Sequence, residues 1–191
     1  DDAVVSAPEP EPPAESPAAV LITCTAVTCY DEVTRIMPLG PIGRATSDVV
    51  AVSSAEAGHA VLLTRPSSDE STTDQHLDLI RCETRSCSQP VEVPLGEVGP
   101  SSVADVRMTD DGTAVVLVAD SRAGRLTLSA LRPGATALDE LFSTGLRTGE
   151  DGYWPDTDLN LVADLDLRQG YRPTVVYRDT TDGDLRIVDC S

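Results

Sequence analysis

Five cysteines are the residues of this sequence with the most definite chemistry, and four of them form two equally spaced pairs. The pairs are Cys24–Cys29 and Cys82–Cys87, each with four residues between the cysteines, and Cys190 stands alone. Short-range pairs of this kind are typical of disulfides formed in an oxidising compartment. The spacing also fits a zinc site with four thiolate ligands, or thiols that stay free. We predict two disulfides and no metal site, which indicates an extracytoplasmic location.

The segment 150–158 is the second candidate, because it holds the only tryptophan of the chain. Tyr153 and Trp154 lie beside Asp156 and Asp158. Aromatic rings next to carboxylates can bind sugars or cations, and clustered carboxylate oxygens can hold calcium. An ordinary surface loop whose tryptophan covers a sheet edge is the structural alternative. We predict these four residues as the binding site, with no cofactor unless the acidic cluster holds calcium.

Two further groups of polar residues have structural explanations. The segment Thr109–Thr113 reads Thr-Asp-Asp-Gly-Thr, in which aspartates can cap turn amides and glycine can take a positive φ. A calcium loop is the alternative for this segment. His59 and His76 lie near the two ends of one predicted hairpin, and two histidines without a third ligand make a poor metal site. We therefore predict that both histidines are surface residues.

The sequence contains no motif for nucleophilic or phosphate chemistry. Neither a Gly-x-Ser-x-Gly nucleophile turn nor a glycine-rich phosphate loop occurs. A glycoside hydrolase needs only two suitably spaced carboxylates, and 32 acidic residues could provide such a pair. We predict a protein that is not an enzyme, with a sialidase-like glycoside hydrolase as the alternative. The formal net charge of −18 argues against nucleic acid or an anionic membrane as a partner, because phosphates would be repelled.

The elements that must position these residues recur along the chain. Four segments alternate apolar and variable positions, which is typical of half-buried strands: Ala19–Cys24, Leu77–Cys82, Leu126–Leu131 and Leu185–Cys190. We label them strand c of a repeat. Strand b is predicted at Ala60–Thr64, Ala114–Ala119 and Thr174–Arg178, strand a at Asp48–Ser53, Ser102–Met108 and Asn160–Leu167, and strand d at Thr34–Leu39, Val91–Leu95 and Asp139–Ser143.

The chain therefore reads c-d, a-b-c-d, a-b-c-d, a-b-c. A repeat of about 50 residues with four strands is typical of a β-propeller blade. We predict an all-β fold of four-stranded antiparallel blades, with a β-sandwich as the alternative. The first strand d could complete the sheet that the last strands begin, which gives about three blades. Three blades should not close around an axis, so we expect a piece of a longer propeller, a ring shared by two chains, or an open arrangement.

Segment 1–17 differs from the rest of the chain. It holds five prolines, five acids and no basic residue. Such a composition cannot bury a core, so we predict a disordered spacer at 1–17 and a propeller-like domain at 18–191. No run of about 18 apolar residues is present, so no spanning helix is predicted in the chain.

The segment Val175–Cys190, Val-Val-Tyr-Arg-Asp-Thr-Thr-Asp-Gly-Asp-Leu-Arg-Ile-Val-Asp-Cys, resembles repeats of secreted and receptor-type β-propellers of GC-rich Gram-positive bacteria. The segment Cys82–Ser88 is similar to the hairpin tip that follows such a strand. The likeness covers roughly residues 19–190 as a general similarity of the repeats, without a diagnostic motif. The third repeat departs from it, because Leu131 stands where a cysteine is expected. Some bacterial membrane-bound serine/threonine kinases carry an extracellular propeller as a sensor, and segment 1–17 is similar to their juxtamembrane spacers.

The resemblance implies an extracellular sensor domain of an actinobacterial membrane protein. We therefore expect a non-catalytic propeller domain that binds an extracellular ligand or protein, with any membrane anchor outside this chain. Besides the hydrolase, the alternative is an assembly module. Its unpaired terminal strands would recruit a partner by edge pairing, including a second copy in a homodimer.

Overall fold

A computed structural model describes residues 20–24, 33–38, 48–67, 73–84, 87, 89–146, 161–169, 171–178 and 184–190. Within these ranges the chain forms thirteen β-strands and no helix, so none of the described residues belongs to a helix that could cross a membrane. The strands are β1 (Val20–Cys24), β2 (Val33–Pro38), β3 (Asp48–Ala55), β4 (Gly58–Pro66), β5 (Gln75–Cys82), β6 (Pro90–Val98), β7 (Val103–Met108), β8 (Ala114–Asp120), β9 (Arg125–Leu131), β10 (Asp139–Gly145), β11 (Ala163–Arg168), β12 (Arg172–Arg178) and β13 (Leu185–Asp189).

The strands pair antiparallel with their neighbours in the chain. β1 and β2 form the terminal pair, β3 to β6 the first full sheet, β7 to β10 the second full sheet, and β11 to β13 the last sheet. This order reproduces the predicted sequence of strands c-d, a-b-c-d, a-b-c-d, a-b-c. The predicted all-β fold with four-stranded, blade-like sheets is therefore confirmed.

The sheets stack face to face, and a separate apolar core fills each space between them. The core between the first and second full sheets contains Leu62, Leu77, Leu79, Val93, Val106, Met108, Val116 and Leu131. The core between the second full sheet and the last sheet contains Val115, Leu117, Leu126, Leu128, Leu165 and Val175. β8 contributes to both cores, which explains its nearly continuous apolar sequence. Each fully buried side chain of this size contributes roughly 1.5–3 kcal/mol by leaving water.

The first strands of successive sheets lie side by side, because β7 contacts β3 on one side and β11 on the other. The connections between strands then gather at two ends of the stack. At the end that we call the Cys82 end, a Cβ added to Gly112 would lie 3.1 Å from the Cβ of Ala57 and 3.5 Å from Cγ of Pro133. At the opposite end, which we call the Arg122 end, Arg122 contacts Asp74 and Glu97.

One expectation about the terminal strands differs from the structure. β2 pairs with β1, and the last sheet has three strands in the described chain, so β2 does not complete it. The first strand d, β2, pairs instead with the strand c that directly precedes it, β1. No pairing between described strands joins the sheets into a closed ring, as expected for three blades.

The prediction that both histidines are surface residues is wrong for His59. This side chain is only 7% exposed, and its Nδ1 lies 2.8 Å from Oγ of Ser54. His59 is paired with Cys82 and lies on the same face of the sheet as Val61 and Leu63, which are buried. The alternation of the strand therefore turns the ring toward a covered face. His76 is partly exposed, as predicted.

Candidate functional site

Several predicted residues lie outside the described residues. Tyr153, Trp154, Asp156 and Asp158 belong to this group, and so does the predicted spacer 1–17. Cys24 is the last residue of β1, but its predicted partner Cys29 is outside the described ranges. The binding loop, the spacer and the Cys24–Cys29 disulfide therefore stay predictions.

The predicted bond between Cys82 and Cys87 is present, in the connection that follows β5 at the Cys82 end. Both residues are buried, with exposures of 0% and 2%. Gly58 packs against this site with a φ of +148°, and a Cβ there would lie 1.9 Å from the carbonyl oxygen of Cys82. Because the two sulfurs are bonded to each other, neither can act as a zinc thiolate. No group of three or more metal-ligating side chains is assembled among the residues that the structure describes.

The segment Thr109–Thr113 forms a closed turn between β7 and β8. Thr109 and Thr113 share a backbone hydrogen bond of 2.9 Å, and Gly112 has a φ of +84°. The carboxylate of Asp111 accepts hydrogen bonds from the Thr109 hydroxyl and, at 3.0 Å, from the Thr113 amide. These hydrogen bonds lower the pKa of Asp111, and the bond from the Thr109 hydroxyl has the largest effect. The carboxylate is thus engaged in the turn, as the structural interpretation predicted.

Arg81 is an unpredicted buried charge that joins the two full sheets at the Cys82 end. Its side chain is 0% exposed, and it donates to the carbonyl oxygens of Leu131, at 3.2 Å, and Arg132. It also donates to Glu83 at 2.5 Å, and Glu83 in turn accepts from the amide of Gly134 at 2.9 Å. Such charge-assisted bonds across two sheets fix their relative position. The sequence holds a signal that both faces of β5 are buried. The neighbours Ile80 and Cys82 are apolar, at positions where a half-exposed strand would be polar.

The Arg122 end holds a network of charges beside a cavity of about 240 Å³ between the two full sheets. Arg122 contacts Glu97 at 2.6 Å and Asp74 at 3.0 Å, and His76 lies 3.7 Å from Glu97. The hydrogen bond from Arg122 holds the pKa of Glu97 below its usual value. Asp120 accepts from the amides of Gly99 and Arg122. These carboxylates are therefore engaged in fixing the connections between the sheets.

The outer face of the last sheet is different, because it exposes apolar side chains that the repeat elsewhere buries. We define this face by Val176, Leu185 and Ile187. Leu185 is 66% exposed and Ile187 is 70% exposed. The residues at the same repeat positions in β5 and β9 are between 0% and 1% exposed, namely Leu77, Leu79, Leu126 and Leu128.

Polar side chains surround this apolar face. A groove of about 440 Å³ runs across it, lined by Asp164, Asp166, Arg168, Thr174, Val176, Ile187 and Asp189. Nη1 of Arg168 lies 2.7 Å from Oδ2 of Asp189, so the two charges compensate each other. An apolar centre within a charged rim is the usual composition of a protein–protein interface.

The comparisons with known proteins give no relative from which a role could be transferred: no family model, no curated protein and no solved structure matches this chain. The assignment of the site therefore depends on the geometry of the chain itself.

Proposed function

We propose that this chain is a non-catalytic, extracytoplasmic binding domain that holds a protein partner on the outer face of its last sheet. One observation carries the proposal. The first two sheets of the stack use this same face to bury the next sheet, whereas Leu185 and Ile187 of the last sheet remain 66% and 70% exposed. Large exposed apolar side chains that cluster on one face mark interaction sites.

The energetic argument follows from the two cores that the structure already contains. Leu79 and Leu128 hold the position of Ile187 in the two earlier repeats. Each is covered by apolar residues of the next sheet. A partner that covers Leu185 and Ile187 in the same way would gain roughly 1.5–3 kcal/mol for each side chain fully buried. The rim formed by Arg168 and Asp189 would orient that partner without adding much affinity.

The extracytoplasmic location is supported by the Cys82–Cys87 bond, because short structural disulfides persist in oxidising compartments. The resemblance of the repeats to receptor-type propellers supports a sensor role in a membrane receptor. In that role the predicted residues Tyr153, Trp154, Asp156 and Asp158 would contribute a second contact from a connecting loop, where binding residues are usually found.

The test is quantitative capture from an envelope fraction of the source organism, followed by titration of the purified captured protein. We expect Ile187→Asp to weaken binding by about tenfold or more, because it places a charge in the centre of the interface. Val49→Asp is the matched control, since Val49 is 56% exposed but belongs to β3 of the first full sheet. Its affinity should stay within about twofold of the wild-type value. Equal affinities of wild type and Ile187→Asp would refute the proposed surface.

A further inference from the structure

The connection that follows β5 carries both the disulfide and a carboxylate that holds Arg81. Cys82 ends β5, Glu83 is the next residue, and Cys87 closes the loop through its bond to Cys82. Oε1 of Glu83 accepts a hydrogen bond from Nη2 of Arg81 at 2.5 Å and another from the amide of Gly134 at 2.9 Å. Gly134 belongs to the connection between β9 and β10 of the second full sheet. The disulfide-closed loop therefore provides one of the contacts between the two full sheets.

The backbone of this loop is held in a conformation that a free chain rarely adopts. Cys87 has a φ of +44°, in the left-handed region that residues other than glycine seldom occupy. Its amide donates to the carbonyl oxygen of Thr84 at 2.9 Å. At the start of the loop the backbone of Gly58 lies so close that an added Cβ would be 1.9 Å from the carbonyl oxygen of Cys82. A residue in the left-handed region persists only when its surroundings fix it, and the disulfide is the covalent part of those surroundings.

Arg81 depends on Glu83 because it has few other partners for a buried charge. Its side chain is 0% exposed, and Glu83 is the one carboxylate that it contacts among the described residues. Nε of Arg81 is already buried without a hydrogen-bond partner in this part of the chain. Its other bonds go to the carbonyl oxygens of Leu131 and Arg132. Because a buried charge that loses its partner is costly, loss of Glu83 would weaken the contact between the sheets at the Cys82 end.

We propose that the Cys82–Cys87 bond controls the contact between the two full sheets in a redox-dependent way. Both Glu83 and Thr84 are exposed, so the loop lies at the surface, where local opening admits a dithiol reductant. A thiolate of the reductant attacks one sulfur and the S–S bond breaks. Two protein thiols form, and the reductant is oxidised to its own disulfide. Cys87 then leaves its left-handed conformation, and Glu83, no longer fixed by the loop, releases Arg81.

This inference goes beyond the proposed function, because it depends neither on the outer face of the last sheet nor on a partner. Amide hydrogen exchange, followed by NMR on the full chain with and without dithiothreitol, tests it. The amide of Gly134 donates to Glu83 across the two sheets. The next amide of the same turn, that of Ala135, donates to the carbonyl oxygen of Arg132 at 3.0 Å and is the internal control.

We expect reduction to speed the exchange of the Gly134 amide by about tenfold or more, because this amide loses its acceptor. The exchange of the Ala135 amide should change by less than about twofold, since its acceptor lies in its own turn. Alkylation of Cys82 and Cys87, detected by mass spectrometry, shows that the bond has been cleaved.

Protein variants measure the same coupling without a reductant. Glu83→Ala removes the carboxylate of the loop. Asp189→Ala is the matched control, because the two side chains are 48% and 47% exposed and each pairs with an arginine. In urea unfolding, we expect Glu83→Ala to raise the unfolding equilibrium constant about tenfold more in the chain with the disulfide than in the double variant Cys82→Ala/Cys87→Ala. Asp189→Ala should act equally in both chains, within about twofold.

Several results would refute the inference. A Cys82–Cys87 bond that stays closed in dithiothreitol refutes the redox dependence. Equal changes in the exchange of the Gly134 and Ala135 amides, or an equal cost of Glu83→Ala with and without the disulfide, refute the control of the contact. If the double cysteine variant does not fold, the exchange measurement on the reduced chain decides the question. The proposed function fails separately, on the capture measured with Ile187→Asp.

Discussion

β5 in the first full sheet and β13 in the last sheet share a sequence pattern, a pairing direction and a place in the repeat, yet their surroundings are opposite. Leu77 and Leu79 of β5 are 1% and 0% exposed, and the corresponding Leu185 and Ile187 of β13 are 66% and 70% exposed. At the next alternate position Arg81 is fully buried, whereas the Asp189 side chain is 47% exposed. The alternation of apolar residues therefore determines that a strand forms. Whether its apolar side chains are buried depends on the presence of a covering sheet.

The largest difference in the cost of a substitution is expected between Arg81 in β5 and Asp189, which holds the same position in β13. Arg81→Ala leaves the carbonyls of Leu131 and Arg132 without their buried donor, so we expect a loss of about 3–5 kcal/mol in the free energy of unfolding. Asp189→Ala removes an exposed ion pair with Arg168 and should cost less than about 1 kcal/mol. Urea unfolding followed by circular dichroism measures both values, and equal losses would contradict the difference in burial.

The apolar positions should differ nearly as much. Leu79→Ala creates a cavity between the two full sheets, and we expect it to cost about 2–5 kcal/mol. Ile187→Ala removes a side chain that is 70% exposed and should change the free energy of unfolding by about 0.5 kcal/mol or less. If a bound partner is added, the cost of Ile187→Ala should rise. A cost above about 2 kcal/mol in the isolated chain would show that Ile187 is covered there.

The third contrast concerns the cysteines that end the two strands. Cys82 is bonded to Cys87, and Cys190 is a free thiol. Replacing Cys82 and Cys87 together by alanine should cost about 2 kcal/mol, since the bond closes a short loop. Cys190→Ala should cost less than about 1 kcal/mol because this residue is only partly buried. Thermal unfolding without reductant measures the two effects, and adding reductant should reduce only the first.

The smallest effect is the titration of Cys190. Burial, followed by the charge of Asp189, raises the pKa of this thiol above its ordinary value of 9.0. The native state then holds the proton to higher pH than the unfolded state, so this group lowers stability as the pH rises above about 9. At pH 8 we expect iodoacetamide to alkylate Cys190 more slowly than a peptide thiol, by less than about tenfold. Cys190→Ser identifies the signal, and reaction at the peptide rate would contradict the assigned burial.

The sequence predicts the strands well because alternation is a local property. The pattern of β12 and β13 places both strands within a residue or two of their observed bounds, and the same holds for β8. What covers a strand is not local. Arg81 lies on the same face of β5 as Leu77 and Leu79, where alternation predicts an apolar residue, and only the carbonyls of the second full sheet make a charge possible there.

The candidate site escaped prediction for the same reason. The positions of Leu185 and Ile187 hold buried leucines in the two full sheets. These two side chains are exposed because no further sheet covers them in the described chain. His59 shows the opposite error, because it was predicted to be a surface residue although its face of the sheet is covered. Trp154 lies outside the described residues, so the binding site predicted around it stays a prediction.

The link through Arg81 has a consequence for how acid acts on the contact between the two full sheets. Two of its acceptors, at Leu131 and Arg132, are main-chain carbonyls, which carry no titrating proton, and only its bond to Glu83 involves a carboxylate. At the opposite end the contact of Arg122 depends on the carboxylate of Glu97, which protonates in strong acid. Acid should therefore weaken the contact between the sheets at the Arg122 end before the contact at the Cys82 end, while the apolar core between them is retained.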